Sequence, residues 1–221
     1  MSLRSDPDFA GQRASMVERQ LRRRGISDER VLAAMGAVPR EHFVPEGVRR
    51  SAYNDSALPI GHEQTISQPW VVAAICQALN LEGEEKVLEI GTGSGYSAAV
   101  LSQLADHVVS VERIPELGEW ARERLEELGI DNVEVIVGDG SRGHPKSAPY
   151  DAIAVHAASP EAPHSMLAEL APDGRLVVPI ATGSADLLTA FIRENGDLRQ
   201  ETIGPCRFVP LIGAEGFTPP D

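Results

Sequence analysis

The sequence predicts an α/β protein built on a doubly wound, mostly parallel sheet, with a helical extension at its amino terminus. Three observations carry this. Short, nearly continuous apolar runs recur at Val87 to Ile90, Val108 to Val111, Val133 to Val137, Ala152 to Val155 and Leu176 to Pro179. Helical segments separate them, expected at Ser97 to Ala105, Pro115 to Leu128 and His164 to Leu170. Strands that are apolar on both faces and joined through helices are parallel strands with helices packed on either side. Ahead of the first run, apolar residues follow helical rather than alternating spacing.

Taken in order, Met16, Val17 and Leu21, then Val31, Leu32 and Met35, predict two helices within residues 9–35, broken at Gly25-Ile26-Ser27. Ser27 is the expected cap of the second, with Asp or Glu in its first turn. From Val38 to Gln68 the chain is rich in Pro, Gly and Asn, so loop with short extended pieces is expected. A loop of that length inside a compact domain is commonly functional. Ser67-Gln68-Pro69 announces a helix through Leu79. Beyond the five runs, Leu187 to Arg193 and Arg207 to Ile212 supply two further expected strands. The organisation is one domain, 1–221, in which residues 9–80 form a helical and loop extension on the substrate side and 81–221 form the α/β core.

Composition narrows the function classes. At 221 residues, 42% hydrophobic and 24% charged, the chain has the balance of an ordinary globular protein with one substantial core. Its formal net charge of −13 opposes a polyphosphate partner, so no nucleic acid is expected. The short basic run Arg22 to Arg24, beside Glu18, Asp28 and Glu29, reads as a solvated helix face. No apolar run approaches bilayer-spanning length, and Met1 to Ala14 lacks the apolar centre of a secretory signal. A cytoplasmic monomer without membrane contact is the expectation. Cys76 and Cys206 stand alone, outside any CxxC spacing, and are expected to be small core fillers. No metal site is expected, because neither HExxH nor clustered His, Asp and Cys occur.

In doubly wound sheets, ligands bind beyond the carboxyl ends of the strands. The first run ends in Glu89-Ile90-Gly91-Thr92-Gly93-Ser94-Gly95-Tyr96, whose glycines admit a ligand close to backbone N–H groups. Such a turn alone also serves dinucleotides, phosphates or only a tight bend. The spacing is GxGxG rather than the GxGxxG of a dinucleotide site, which weakens a dehydrogenase reading, and no Walker lysine follows. The second strand ends at Glu112, about twenty residues past Gly91, where a carboxylate can accept both ribose hydroxyls of an adenosine. Alternatively it caps a helix or lies on the surface. The third strand ends at Gly138-Asp139-Gly140, where Asp139 can accept from an adenine amino group or merely shape a turn. Three such places in succession favour S-adenosylmethionine.

Other segments carry a resemblance. Ala57 to Gly61, Gln64-Thr65-Ile66-Ser67-Gln68-Pro69, Val38 to Pro45, Val87 to Tyr96, Gly138 to Gly140, Ala148 to Ile153, Gly174 to Pro179 and Arg207-Phe208-Val209-Pro210-Leu211 resemble, in order, the segments of protein-L-isoaspartate O-methyltransferases. The likeness runs from about Met16 to Gly213. It implies a Rossmann-like methyltransferase that moves a methyl group from S-adenosyl-L-methionine to the α-carboxylate of isoaspartyl, and often D-aspartyl, residues, releasing S-adenosyl-L-homocysteine. Its partners are isoaspartyl-containing proteins and peptides.

Carried over residue by residue, Ser67 lies at the methyl-transfer site. Gln64, Thr65, Ile66 and Ser67, with Gly91, Thr92, Gly93, Ser94 and Gly95, line the cofactor. Glu112, Asp139 and Gly140 hold its adenosine, and Leu58 to Gly61 with Arg207 to Leu211 border the peptide groove. His156 departs from the family, standing where small or hydroxyl residues are usual. On pattern alone Ser67 also reads as a helix cap. The rival readings are a methyltransferase with a small-molecule or RNA acceptor, a non-catalytic nucleoside-binding module, and a dehydrogenase.

Overall fold

The structure, a computed structural model, describes residues 7–218. The reading of Met1 to Ala14 therefore falls outside the described residues over 1–6, as do both ends of the 1–221 domain.

Ahead of the sheet, α1 (Phe9–Met16) widens into a π turn at Val17–Leu21 and tightens over Arg22–Arg24, where Gly25 ends it at φ +93°. All three arginines are exposed, and Arg22 pairs with Glu29 and Arg24 with Asp55. The cap of α2 (Glu29–Ala37) is Asp28 rather than Ser27. The Asp28 carboxylate accepts from the Arg30 and Val31 N–H groups at 2.8 and 3.3 Å, whereas the Ser27 N–H donates to Gln77 Oε1 at 2.7 Å. Residues 38–68 hold two 3-10 turns and an antiparallel hairpin, β1 (Leu58–Gly61) and β2 (Gln64–Ile66), before α3 (Pro69–Leu79).

The core elements follow: β3 (Lys86–Ile90), α4 (Tyr96–Leu101), β4 (His107–Glu112), α5 (Pro115–Glu127), β5 (Val133–Val137), β6 (Tyr150–Val155), α6 (His164–Ala168), β7 (Leu170–Ala181), β8 (Asp186–Glu194) and β9 (Asp197–Cys206). They form one seven-stranded sheet in the order β5-β4-β3-β6-β7-β8-β9, parallel from β5 to β7 and antiparallel from β7 to β9. The chain winds outward through β4 and β5, then returns to β6 on the other side of β3. The strand order thus reverses between β3 and β6, the place where such folds open a crevice.

Successive residues of β3 enter different cores, because strand side chains alternate between faces. Val87 joins Met16, Leu21, Met35, Phe43 and Ile75, so the amino-terminal helices share a core with one sheet face. Leu88 and Ile90 join Val109, Ile153 and Leu176 on the other.

Three expectations needed correction. The helix after the glycine turn stops at Leu101, and α6 stops at Ala168 because Leu170 already pairs with Tyr150. Arg207 to Ile212 is not a strand: it makes only single bridges at Pro210, whose missing N–H breaks a ladder, and at Ile212. The last strand is instead β9, reached through a tight turn in which Asn195 and Gly196 both have positive φ (53° and 89°). β9 is a solvent-washed edge carrying Arg199 paired with Glu194 and Glu201, and Pro205. At the opposite edge, Arg122 donates twice to the Val135 carbonyl of β5, at 2.8 and 3.2 Å. Cys76 is a buried filler, whereas Cys206 is half-buried on β9. Among the described residues, no helix is long and apolar enough to cross a membrane, and no cluster of His, Cys, Asp and Glu is arranged to hold a metal.

Candidate active site

β3 ends at Ile90, and the next residues alternate in the left-handed region, with φ of +92°, +53° and +87° at Gly91, Gly93 and Gly95. A side chain is strained in that region, so the bend requires glycine. The turn frees amides for use. The Gly93 N–H donates to Glu112 Oε2 at 2.8 Å, and the Ile114 N–H donates to Glu112 Oε1 at 2.9 Å. Glu112 is thereby buried at 5% exposure, not a surface acid, and each oxygen keeps a lone pair for a ligand.

A cavity of about 290 Å³ opens at the strand-order reversal, close to the lower end of the range for small-molecule sites. It brings together Gln64, Thr65, Ile66, Ser67, Gly91, Thr92, Gly93, Ser94, Glu112 and Gly140. Residues of the β1–β2 hairpin region thus face the glycine turn across one space. Ser67 is not tied up as a cap, since Gln68 holds the cap position of α3 without a side-chain bond. Small backbone is required at the wall: a Cβ on Gly140 would stand 3.0 Å from Ile90 Cγ2.

Two predicted residues fall outside the cavity lining. Gly95 turns away from it and packs on α5, where an added Cβ would stand 3.2 Å from Ala121 Cβ. Asp139 instead accepts from the Ser141 N–H at 2.9 Å and, across the chain, from the Ala214 N–H at 3.1 Å. Burial pushes its pKa up, but these hydrogen bonds outweigh that and hold it below the usual carboxylate range. The segment so anchored is fixed further by the Glu215 carboxylate on Ser165 and by the Glu215 N–H on Ser141 Oγ at 3.0 Å. Its upstream residues Val209 to Ile212 wall the cavity, whereas Arg207, Phe208 and Leu58 to Gly61 do not line it.

Beneath the glycine turn lies a polar cluster that the sequence did not reveal. Glu89, a lone acid in an apolar strand, is fully buried. Its Oε2 accepts from Ser110 Oγ at 2.5 Å, Ser110 Oγ pairs with Thr92 Oγ1 at 2.6 Å, and its Oε1 has no hydrogen-bond partner. Burial raises the Glu89 pKa to about 7, against the pull of the Ser110 and Ser97 hydroxyls and with help from the Glu112 charge. His156 stands alongside, its Nε2 2.7 Å from Ser97 Oγ and 3.4 Å from Glu89 Oε1. Burial lowers its pKa to about 4. Only Glu89, the acid within the otherwise apolar run Val87 to Ile90, offered a sequence signal for this cluster.

The site suits an adenosine-bearing cofactor. A glycine cradle meets a buried carboxylate with free lone pairs, and the cavity is closed to larger side chains at Gly140.

Fold and site together define a Rossmann-like methyltransferase. A solved protein-L-isoaspartate O-methyltransferase superposes with a TM-score of 0.80 at 32% identity, over 92% of this chain and 66% of that longer one. A Plasmodium falciparum structure, described as a protein-L-isoaspartate O-methyltransferase in complex with S-adenosyl-L-homocysteine, gives 0.79 at 25% identity over 94% of this chain and 99% of that one. In sequence, a relative from Rhodopseudomonas palustris (strain HaA2), protein-L-isoaspartate O-methyltransferase 1, is 55% identical over 211 residues, 95% of this chain and 86% of its own. The family model "Protein-L-isoaspartate(D-aspartate) O-methyltransferase" matches residues 12–216. The chain belongs to the protein-L-isoaspartate O-methyltransferase family.

Proposed function

We propose that this enzyme transfers a methyl group from S-adenosyl-L-methionine to the α-carboxylate of L-isoaspartyl residues, and of D-aspartyl residues, in damaged proteins and peptides. One observation carries the reading: Gln64 to Ser67, which lie outside the α/β core, share a single cavity with the glycine turn and Glu112. Residues of the amino-terminal extension and of the α/β core therefore act on the same space.

The cofactor supplies a methyl group on a cationic sulfur, already activated for transfer. The chain's own task is modest, because a carboxylate with a pKa near 4 is ionised at neutral pH and needs no general base. Gly91 to Ser94 and Gln64 to Ile66 line the cofactor, Glu112 accepts from its ribose hydroxyls, and Gly140 leaves room for the adenine. Asp139 contributes through the Ala214 segment that it anchors. Ser67 donates a hydrogen bond to the incoming carboxylate, at the start of α3, where a helix amino terminus also favours an anion. Catalysis then comes from alignment and exclusion of water. The resulting ester collapses to a succinimide without help from the protein, and hydrolysis returns some normal aspartate.

We assign residues 9–80 to the substrate side and 81–221 to the cofactor side of one functional unit, working as a cytoplasmic monomer. The charge of −13 supports protein rather than nucleic acid as acceptor. Methyl transfer from labelled S-adenosyl-L-methionine to paired peptides, identical but for an L-isoaspartyl or L-aspartyl linkage, tests the reading. Base-labile label on the isoaspartyl peptide alone is the expected result. Label on neither, with cofactor bound, overturns the substrate.

A further inference from the structure

His156 has no part in the mechanism above, yet it stands at its centre. It follows β6 directly, at the strand-order reversal, with its N–H bonded to the Ile90 carbonyl at 2.8 Å. A Cβ placed on Gly91 would lie 3.5 Å from its own Cβ. Its ring is 6.5 Å from that of Phe208, in the segment bordering the peptide groove, and the residue lines the cavity that also holds Ser67. The side chain is 6% exposed, so any N–H left without a partner there is costly.

Nε2 faces inward to Ser97 and Glu89. Nδ1 makes no hydrogen bond among the described residues and, unlike Glu89 Oε1, is not sealed within the protein. A neutral imidazole carries one proton, so whichever nitrogen accepts inside leaves the other to donate outside. Ser97 has a single hydroxyl proton; turned toward Nε2, 2.7 Å away, it makes Ser97 the inward donor and is withdrawn from Glu89. An anion in the cavity favours the tautomer with Nδ1–H turned toward it.

We infer that His156 is an acceptor-binding residue, its Nε2 accepting from Ser97 and its Nδ1–H donating to the substrate carboxylate, which is held between His156 and Ser67 for in-line attack. This rests on the isoaspartyl reading of the site. Nearness to Phe208 places the contact on the peptide side rather than the adenosine side, and burial keeps the imidazole neutral, so it binds the carboxylate without pairing its charge away.

Side-chain geometry provides the test. In His156→Asn the amide nitrogen takes the place of Nδ1, whereas in His156→Gln it takes the place of Nε2. For wild type, both variants and His156→Ala, S-adenosyl-L-homocysteine affinity is measured by calorimetry. Isoaspartyl-peptide binding to the product-saturated protein is measured by fluorescence anisotropy, and KM and kcat by label transfer. Gln and Ala are expected to weaken peptide binding about 10- to 100-fold, the range of one charge-assisted hydrogen bond, with product affinity within about twofold. Asn is expected to stay within about threefold of wild type in peptide binding.

Full peptide affinity in Gln, loss in Asn equal to that in Ala, or a parallel fall in product affinity overturns the inference. Because a variant can fail to fold, ¹⁵N NMR of the wild-type complex with peptide reads the tautomer directly: protonated Nδ1 is expected, and unprotonated Nδ1 overturns it. A wild type inert on the isoaspartyl peptide overturns the functional reading and the inference with it. An active wild type with any of the contrary results overturns the inference alone.

Discussion

Replacing Glu89 by glutamine removes a buried titration while keeping the shape of the side chain. In the folded protein Glu89 titrates at about 7, against an ordinary 4.5, because burial disfavours its charge. Between those values the native state retains a proton that the unfolded chain has released. Its contribution to stability is therefore complete below 4.5 and is lost as pH rises through 7. His156 runs the other way. Its native value of about 4 lies below the ordinary 6.5, so its contribution is present above 6.5 and is lost as pH falls toward 4.

In wild type the two slopes oppose one another between 4.5 and 6.5, and Glu89→Gln leaves only the rise from His156. The interval from 4.5 to about 7, at about 1.4 kcal/mol per pH unit, amounts to roughly 3 kcal/mol. Most of it lies between pH 5 and pH 8. Urea unfolding of both proteins at those two pH values should show the stability of the variant relative to wild type rising by about 2–3 kcal/mol. A difference that is the same at both pH values would refute a neutral, proton-holding Glu89 beneath the glycine turn.

Four further outcomes are expected. Gly95→Ala forces φ of +87° on a residue whose Cβ meets Ala121 at 3.2 Å. It should cost about 2 kcal/mol and lower the melting temperature by about 4–8 °C; thermal unfolding by circular dichroism measures this, and an unchanged midpoint contradicts the packing role. Ser67→Ala should reduce kcat about tenfold, with S-adenosyl-L-homocysteine affinity within about twofold, if Ser67 binds the acceptor as proposed; equal loss of both points to local structure instead. Glu112→Gln should weaken product binding about tenfold or more in calorimetry. Asp139→Ala should chiefly speed hydrogen exchange at the Ala214 and Glu215 amides that it helps to hold, and slow exchange there contradicts the anchoring role.

The central sheet could be read from the sequence because β3, β4 and β6 are apolar on both faces, and only a covered parallel sheet accommodates such strands. Glu112 could be placed because strand ends are where that fold exposes chemistry. β9 was hidden by its position: an edge strand in water needs no apolar alternation, and its only clear signal was Asn195-Gly196. Arg207 to Ile212 misled because Phe208, Val209 and Leu211 are apolar for the sake of the cavity wall and the core beside it, not for pairing in a ladder. The setting of Asp139 was out of reach, since its partner Ala214 returns from 75 residues away. The same holds for Ser97 and His156, which meet across 59. Spacing along a chain locates strand ends, but not which distant residue comes back to each.

The two margins of the sheet also bear on what such an enzyme meets. Extended, poorly paired backbone anneals readily to an open strand. On β9, paired charges around Arg199 and the proline at 205 make a poor template. On β5, Arg122 occupies the Val135 carbonyl. At these positions neither margin offers an incoming chain a free, uncharged row of backbone groups to pair with.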